Sequence, residues 1–338
     1  MRVIFLGTAA SISNASSRLP AIALLLDDGS QIVFDTGEDI QRAFAEHGLK
    51  MNKHLSIFIT HMHGDHIIGL PGLLFRMGLQ SRTTEVEIFG PKGLFLYLLS
   101  QRMTIGLIPN YNINITEIDL DRNVLLKYPA LEQKLDLEKE KWGMKKVEIK
   151  NGVIKSTKKY MVHAIKSEHT TMQAFSYIYK EHSYPGKFNP EKAKELNVPE
   201  GKLWSKLQQG HSVILKNGNK IHPREDGIVG EPRPGRVIIV SGDTRPAEQM
   251  KKTIKSYNKI DLLIHEATFL DELVDLAIEK KHTTVREACE LAKLENVQKL
   301  ALTHFSSRYS DEMERISEEA NKYSKKVIVA NDGTIIEL

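Results

Sequence analysis

Residues 60–66 read Thr-His-Met-His-Gly-Asp-His and follow the apolar run Leu55–Ile59. Three of the chain's 13 histidines and an aspartate therefore fall within six positions. Imidazole nitrogens and a carboxylate are the donors that suit zinc or another borderline divalent metal. His61 and His63 share a face if the extended geometry of the run persists. Asp65 and His66 then come from the following turn, with Gly64 letting the backbone bend. Four donors on one short loop are more than a single tetrahedral ion usually draws from one stretch. They suit two adjacent ions, His61 with His63 and Asp65 with His66, which need further donors and a bridge.

Other apolar strands end in suitable residues. His169 follows MVHAIKSE, Asp243 lies in SGDT and His304 in LTHF. Asp243, with two carboxylate oxygens, is the natural bridge. Taken singly, a strand-end histidine is more often a satisfied surface or core residue, and Asp243 could shape a turn. Their shared position beside the dense loop favours a metal site. His163, six residues before His169, competes for its place. Glu266 at a strand tip and His282 before a helix form a second pair. A carboxylate can orient an imidazole and raise its pKa. Facing the metals, His282 could donate a proton to a leaving group; otherwise the pair is a helix-start histidine and a surface glutamate.

These residues need elements to hold them. The 338 residues, 41% hydrophobic, suffice for a large core. Short apolar runs predict strands at 2–8, 22–27, 31–37, 55–61, 86–91, 236–244, 260–268 and 299–305. Helices are expected at 38–48, 69–80 and 92–104, after Thr284 with its capping-box partner Glu287, and after Ser310 or Asp311. The segment 326–338 reads as a hairpin around Asp332-Gly333. Together they predict one domain, 1–338, of two packed sheets with helices outside. Within it, 127–160 reads as a charged, lysine-rich insertion and 182–210, rich in Pro, Gly and Lys, as an excursion from the core. Nothing approaches 18 continuous apolar residues, so no membrane partner is expected. The start reads as a strand rather than an export signal. A single cysteine, Cys289, excludes an intrachain disulfide and a thiolate cluster. A cytoplasmic location fits, and the net charge of +4 permits a nucleic-acid partner.

THMHGDHIIGLPGLL (60–74) resembles the histidine motif of the metallo-beta-lactamase superfamily. FLGTAAS (5–11), FDTGE (34–38), SGDTRP (241–246), HEATF (265–269), HTT (282–284) and THFSSRY (303–309) narrow the resemblance to the ribonuclease Z family. The likeness spans 3–338 apart from the lysine-rich insertion. It implies an α+β, four-layer αββα fold with a protruding flexible arm at 179–210, where the family's PxGPL appears as Pro199–Leu203, PEGKL. It implies two zinc ions per chain, replaceable by manganese or magnesium. His61, His63 and His169 match ligands of the first, Asp65, His66 and His304 those of the second, and Asp243 the bridge. Asp65 would also handle a proton of the attacking water, and His282, assisted by Glu266, would protonate the leaving 3-prime oxygen. The implied activity is endonucleolytic removal of the 3-prime trailer from precursor transfer RNA by a homodimer whose arm clamps the RNA. The alternative is a phosphodiesterase or other hydrolase of the superfamily acting on a small substrate.

Overall fold

The computed structural model describes every residue except 108, 129–142, 172, 294–295 and 325. The chain forms two compact units: Met1–Ser156 with Val162–Tyr179 and Val237–Leu338, and Thr157–Met161 with Lys180–Arg236.

The first unit is built on two sheets. Nine strands run in the order Ile335–Glu337, Arg2–Gly7, Ala21–Leu25, Gln31–Phe34, Leu55–Phe58, Val86–Pro91, Ile113–Asp119, Val124–Tyr128, Lys145–Glu148. The second sheet runs Val153–Ser156, Tyr160–Lys166, Phe175–Glu181, Val237–Val240, Leu262–Glu266, Leu300–Thr303, Val327–Val329. Each sheet has a parallel block, from Gln31–Phe34 to Ile113–Asp119 in the first and from Val237–Val240 to Val327–Val329 in the second. The C-terminal ends of parallel strands are where open sheets of this kind place their sites.

Alternation along the strands sorts the core into layers. Val33, Leu55, Ile57, Val86 and Ile88 pack with Ile40, Phe44, Leu70, Leu74 and Leu98 of the helices Ile40–Glu46, Leu70–Leu79 and Leu94–Ile105. The intervening Phe34 and Phe58 face the other way and meet Tyr177 of the second sheet, with ring centroids 5.8 and 5.4 Å apart. Such rings bury large areas and favour tilted contacts. The second sheet's far face packs Ile239, Leu263 and Leu302 with Ile254, Val285, Ala288 and Ile316 of the helices Glu248–Lys255, Val285–Ala292 and Met313–Tyr323. The result is the expected order of helix, sheet, sheet, helix. The capping box at Thr284 and Glu287 is present. Cys289 is buried in that helix, and burial pushes its thiol up to about 12, so it stays protonated.

Three expectations change. Residues 326–338 do not form a hairpin. Val327–Val329 pairs in parallel with Leu300–Leu302, whereas Ile335–Glu337 pairs antiparallel with Arg2–Ile4 in the other sheet. The Asp332-Gly333 turn carries the chain between sheets, held where Gly333 N donates to Phe5 O and Phe5 N to Thr334 O. The charged segment 127–160 contains strands of both sheets, although its residues 129–142 lie outside the described residues. Gly64 is not a backbone hinge: its φ is not positive, and a Cβ there would meet nothing within 4 Å. The close approach is at Gly69, where a Cβ would stand 2.1 Å from Gly37 O.

The second unit reaches beyond 179–210. Its core joins Ala193, Val198 and Leu207 to Val213, Leu215, Ile221, Ile228 and Val229, with Phe188, Leu203 and Trp204 packed against it. Its elements are the helices Pro190–Glu195 and Lys202–Gln208 and the pair Val213–Ile214 and Lys220–Ile221. Asn189 caps the first helix by accepting from Lys192 N, and Trp204 Nε1 donates to Val198 O at 2.9 Å. Elements this short scatter their apolar residues singly, so no periodic run marks the core in sequence.

One half-buried pair ties the two sheets. Glu87 alternates with Val86 and Ile88, faces away from the helices, and meets Lys155 of Val153–Ser156, with His54 beside it at 3.2 Å. Burial works against its charge, but hydrogen bonds and ion pairing with His54 and Lys155 prevail and depress its pKa from 4.5 to about 2. A carboxyl depressed by folding contributes stability above its unfolded value that is lost as pH falls through the folded one. Glu87→Gln should therefore lower the unfolding free energy at pH 7 by roughly 1–3 kcal/mol, the range for a lost charge-assisted bond. Urea titrations should find the gap full above pH 4.5 and narrowing toward pH 2; a gap independent of pH would refute the assignment.

Candidate active site

The strand tips of both sheets converge. Thr60–His66 follows Leu55–Phe58, Asp243 follows Val237–Val240, and His304, in left-handed backbone at φ 62°, follows Leu300–Thr303. His169 sits in the loop between Tyr160–Lys166 and Phe175–Glu181. Gly242, φ 58°, permits the junction, because a Cβ on it would stand 2.8 Å from Thr60 Cβ. A larger residue there would push the Asp243 tip away from the histidine loop. Helix Gly64–Ile67 starts inside the motif and turns Asp65 and His66 back toward His61.

All seven residues singled out from the sequence come together. His61 Nε2 and His169 Nε2 lie 3.0 and 3.3 Å from His63 Nδ1. A tetrahedral ion with ligand bonds near 2.0 Å has donor–donor edges of about 3.3 Å. His66 Nε2 is 3.5 Å from Asp65 Oδ2, and His304 Nε2 is 3.8 Å from the same atom. Asp243 stands between the groups, its Oδ2 3.8 Å from His61, 3.9 Å from His169 and 3.4 Å from His66, its Oδ1 3.3 Å from His304. His163 is elsewhere, its Nδ1 3.3 Å from Asn151 O.

The outer nitrogens are committed. His61 Nδ1 meets Thr60 Oγ1, His66 Nδ1 meets Asp35 Oδ2, His169 Nδ1 meets Lys281 O and His304 Nδ1 meets Thr268 Oγ1, at 2.8–3.2 Å. Such partners fix the tautomer and orient the inner nitrogen, as around metal ligands generally. Asp35 also accepts from Thr60 N and Thr60 Oγ1, so it staples the start of the loop. Ser11 N donates to Asp65 Oδ2 at 3.0 Å. Asp35 and Thr268 escaped the assignment of roles from sequence, although both lie in motifs that carry the resemblance. Asp35 sits at φ 59°, a conformation an ordinary strand end does not need.

Charge makes the fit to a cation physical. Burial keeps His61 well below its ordinary pKa, with His66, His169 and His63 adding to the effect against Asp243. Burial also lowers His63 and His169. These imidazoles are neutral with inward nitrogens. His66 goes the other way: burial opposes its charge, but Asp243 and Asp35 raise it well above the ordinary value. Burial likewise opposes charge on Asp243, which His304 and His66 nevertheless hold well below the usual carboxylate range. The buried carboxylates thus draw positive charge to this spot. His66 Nε2 and His304 Nε2 are buried and make no hydrogen bond, although both face Asp243 oxygens. Divalent cations fit this donor set.

Glu266 and His282 meet as well, with His282 Nδ1 2.9 Å from Glu266 Oε1. Glu266 is fully buried and accepts from Thr244 N at 2.7 Å, Thr268 Oγ1 at 2.6 Å and Thr283 N at 3.0 Å besides. Both oxygens are saturated, which favours the carboxylate. Burial alone would lower the His282 pKa, but this carboxylate raises it to about 9. The ring lies beside a cleft of about 350 Å³ lined also by His63, Asp65, His169, Lys280 and Arg308. His63, Asp65, His169 and Asp243 of the strand-tip cluster share this opening with His282.

The first 178 residues match the family model described as Anti-Pycsar protein Apyc1. Over full length the chain is 36% identical to the ribonuclease Z of Nitrosopumilus maritimus, covering 100% of both. It is 36% identical to that of Methanosarcina acetivorans, covering 100% of this chain and 98% of the relative. The crystal structure of the short form of human tRNase Z superposes with a TM-score of 0.63 at 25% identity, covering 100% of this chain and 99% of that one. The metallo-beta-lactamase fold protein YhfI of Bacillus subtilis, at TM-score 0.61 and 12% identity over 99% and 98% of the two chains, shares the fold. The chain belongs to the ribonuclease Z family, and its N-terminal half also fits the Apyc1 family model.

Proposed function

We propose that the chain is an endoribonuclease that removes the 3-prime trailer from precursor transfer RNA, cutting after the discriminator nucleotide. The observation that carries the reading is His282, held by Glu266, opening onto the same cleft as His63, Asp65, His169 and Asp243 of the seven converging donors. His61, His63 and His169 would hold one zinc ion, Asp65, His66 and His304 a second, with Asp243 shared. Divalent ions bound there would lower the pKa of water and offset charge on the non-bridging phosphate oxygens. Asp65, oriented by Ser11 N, takes up a proton of the attacking water. As the bond from phosphorus to the 3-prime oxygen breaks, its electron pair moves to that oxygen, and His282 Nε2 supplies the proton. Glu266 holds His282 Nδ1 throughout, stabilises the protonated ring and aims Nε2 at the cleft. The products are a 3-prime hydroxyl on the transfer RNA and a 5-prime phosphate on the trailer.

A homodimer fits an apolar feature of the first unit. Helix Leu94–Ile105 buries Leu94, Phe95, Leu98 and Leu99 yet leaves Leu96, Met103 and Ile105 more than half exposed. Apolar side chains left on a second face of a helix ask for cover there too. The second unit, with exposed Lys194, Lys202 and Lys206, would grip RNA phosphates. Among the described residues no helix is long and apolar enough to cross a membrane.

Incubation with a precursor transfer RNA and mapping of the cut at nucleotide resolution should give one cut at the discriminator or within a nucleotide or two of it. Protein purified without added metal should carry near two equivalents of zinc. Unstructured RNA degraded as fast as folded precursor would favour a general nuclease. Turnover of a small phosphodiester with no cut in the precursor would favour the small-substrate reading.

Excision of 183–233 should weaken precursor binding while sparing hydrolysis of bis(p-nitrophenyl) phosphate. Equal losses on both substrates would assign that unit a structural role. The intact protein should sediment as two chains.

A further inference from the structure

The proton donor sits on an irregular turn rather than on a strand or helix. His282 follows Lys281, which ends helix Val274–Lys280 in left-handed backbone at φ 55°. Lys281 O faces His169 Nδ1 at 3.2 Å, and His282 N donates to Ala277 O at 2.8 Å. Three residues after His282 the capped helix Val285–Ala292 begins. A ring on such a turn keeps its aim only if the backbone is fixed on both sides.

We propose that Arg245 is a positioning residue for His282. Arg245 lies two residues past Asp243, and its backbone N donates to Glu168 O at 2.9 Å beside His169. Its guanidinium reaches across to the other wall. Nη1 donates to His282 O and, at 2.8 Å, to Glu287 Oε2, while Nη2 donates to Glu287 Oε1. The side chains of Arg245 and Glu287 are only 15% and 14% exposed. A two-pronged, largely shielded pair of this kind fixes direction as well as distance. Glu287 Oε2 also accepts from Thr284 N as part of the capping box. The arginine thus locks the carbonyl of the proton donor, the cap two residues later and the strand tip that bears Asp243 into one piece. The ring is anchored from the inside by Glu266 and the backbone from the outside by Arg245.

Removing the fork leaves His282 O and the Glu287 carboxylate without their shared donor and lets the turn shift. A misplacement near 1 Å can cost a hundredfold in rate. The proposal rests on His282 acting as the acid, and leaving-group chemistry separates the two ideas. The 3-prime oxygen of a ribonucleotide departs as a strongly basic alkoxide unless it gains a proton. p-Nitrophenolate departs as a stabilised anion and needs none.

Arg245→Met, Arg245→Lys and His282→Ala should be compared on precursor transfer RNA and on bis(p-nitrophenyl) phosphate, with zinc content and thermal unfolding measured alongside. Arg245→Met is expected to lower kcat on the RNA by about 10- to 100-fold, within the range of general-acid effects, with KM little changed. Its loss on the activated diester should be far smaller, with zinc content retained. Arg245→Lys, a point charge without the fork, should fall between the parent and Arg245→Met. His282→Ala should show the same selectivity, more strongly. Parallel losses on both substrates for Arg245→Met, or lost zinc, would overturn the positioning role in favour of a structural one. If His282→Ala is selective and Arg245→Met is not, the acid stands and the positioning proposal falls. If His282→Ala loses both activities equally, the acid reading fails and this proposal fails with it.

Discussion

The carboxylate of Asp243 is the constraint on which the site turns. It is 3% exposed and lies within 4 Å of four imidazole nitrogens from the strand-tip cluster. A buried carboxylate is costly unless positive charge meets it. Burial lowers the pKa of three neighbouring histidines, His61, His63 and His169, so they do not meet that demand, whereas His66 and, at the edge, His282 are pushed toward the charged form. A divalent cation on each side would meet it fully, convert every inward nitrogen into a ligand and leave the outer nitrogens as they are. The fold brings the carboxylate there because Gly242 has no side chain to hold the two strand tips apart.

The Glu266–His282 pair is joined to the donor cluster by short polar links. Thr268 Oγ1 donates to Glu266 Oε2 and lies 2.9 Å from His304 Nδ1, whose proton it can accept. Glu266 in turn receives His282, Thr283 and Thr244, the residue after Asp243. Lys281 O touches His169 on the other flank. Each half of the site therefore shares partners with the other. A substitution at Thr268 would disturb both, whereas Arg245 touches the turn of His282 without touching an inward-facing donor. That separation gives the arginine its diagnostic value.

Much of this was legible in sequence because it obeys short-range rules. Strands ending in polar residues mark a shared edge, and the parallel blocks put that edge at one end of both sheets. The capping box and its apolar face were readable because a helix start uses contiguous residues. What escaped depends on contacts distant in sequence. Asp35 acts 25 residues from Thr60, and the terminal segment divides between sheets because Arg2–Gly7, paired with Ala21–Leu25 on one side, offers it a partner on the other. Gly64, placed in the motif, suggested a hinge, yet the close approach falls at Gly37 and Gly69, where loop backbones meet. The arm's core was hidden because its apolar residues are spread over several short elements.

The two halves of the site also bear on why the substrate is RNA rather than a small diester. Divalent ions held by the converging imidazoles and carboxylates would activate water for any phosphodiester, so the donor cluster alone selects little. A dedicated acid, the role proposed for His282, changes the balance. Keeping Glu266 ionised takes four hydrogen bonds inside the fold, and a further, largely shielded ion pair holds the turn of His282. Machinery of that extent brings most benefit where the leaving oxygen is a poor one, as the 3-prime oxygen of a ribonucleotide is. A diester with an activated leaving group would leave it idle. The acid therefore argues for a polynucleotide at the site from the chemistry of the broken bond, independently of any surface that grips the rest of the molecule.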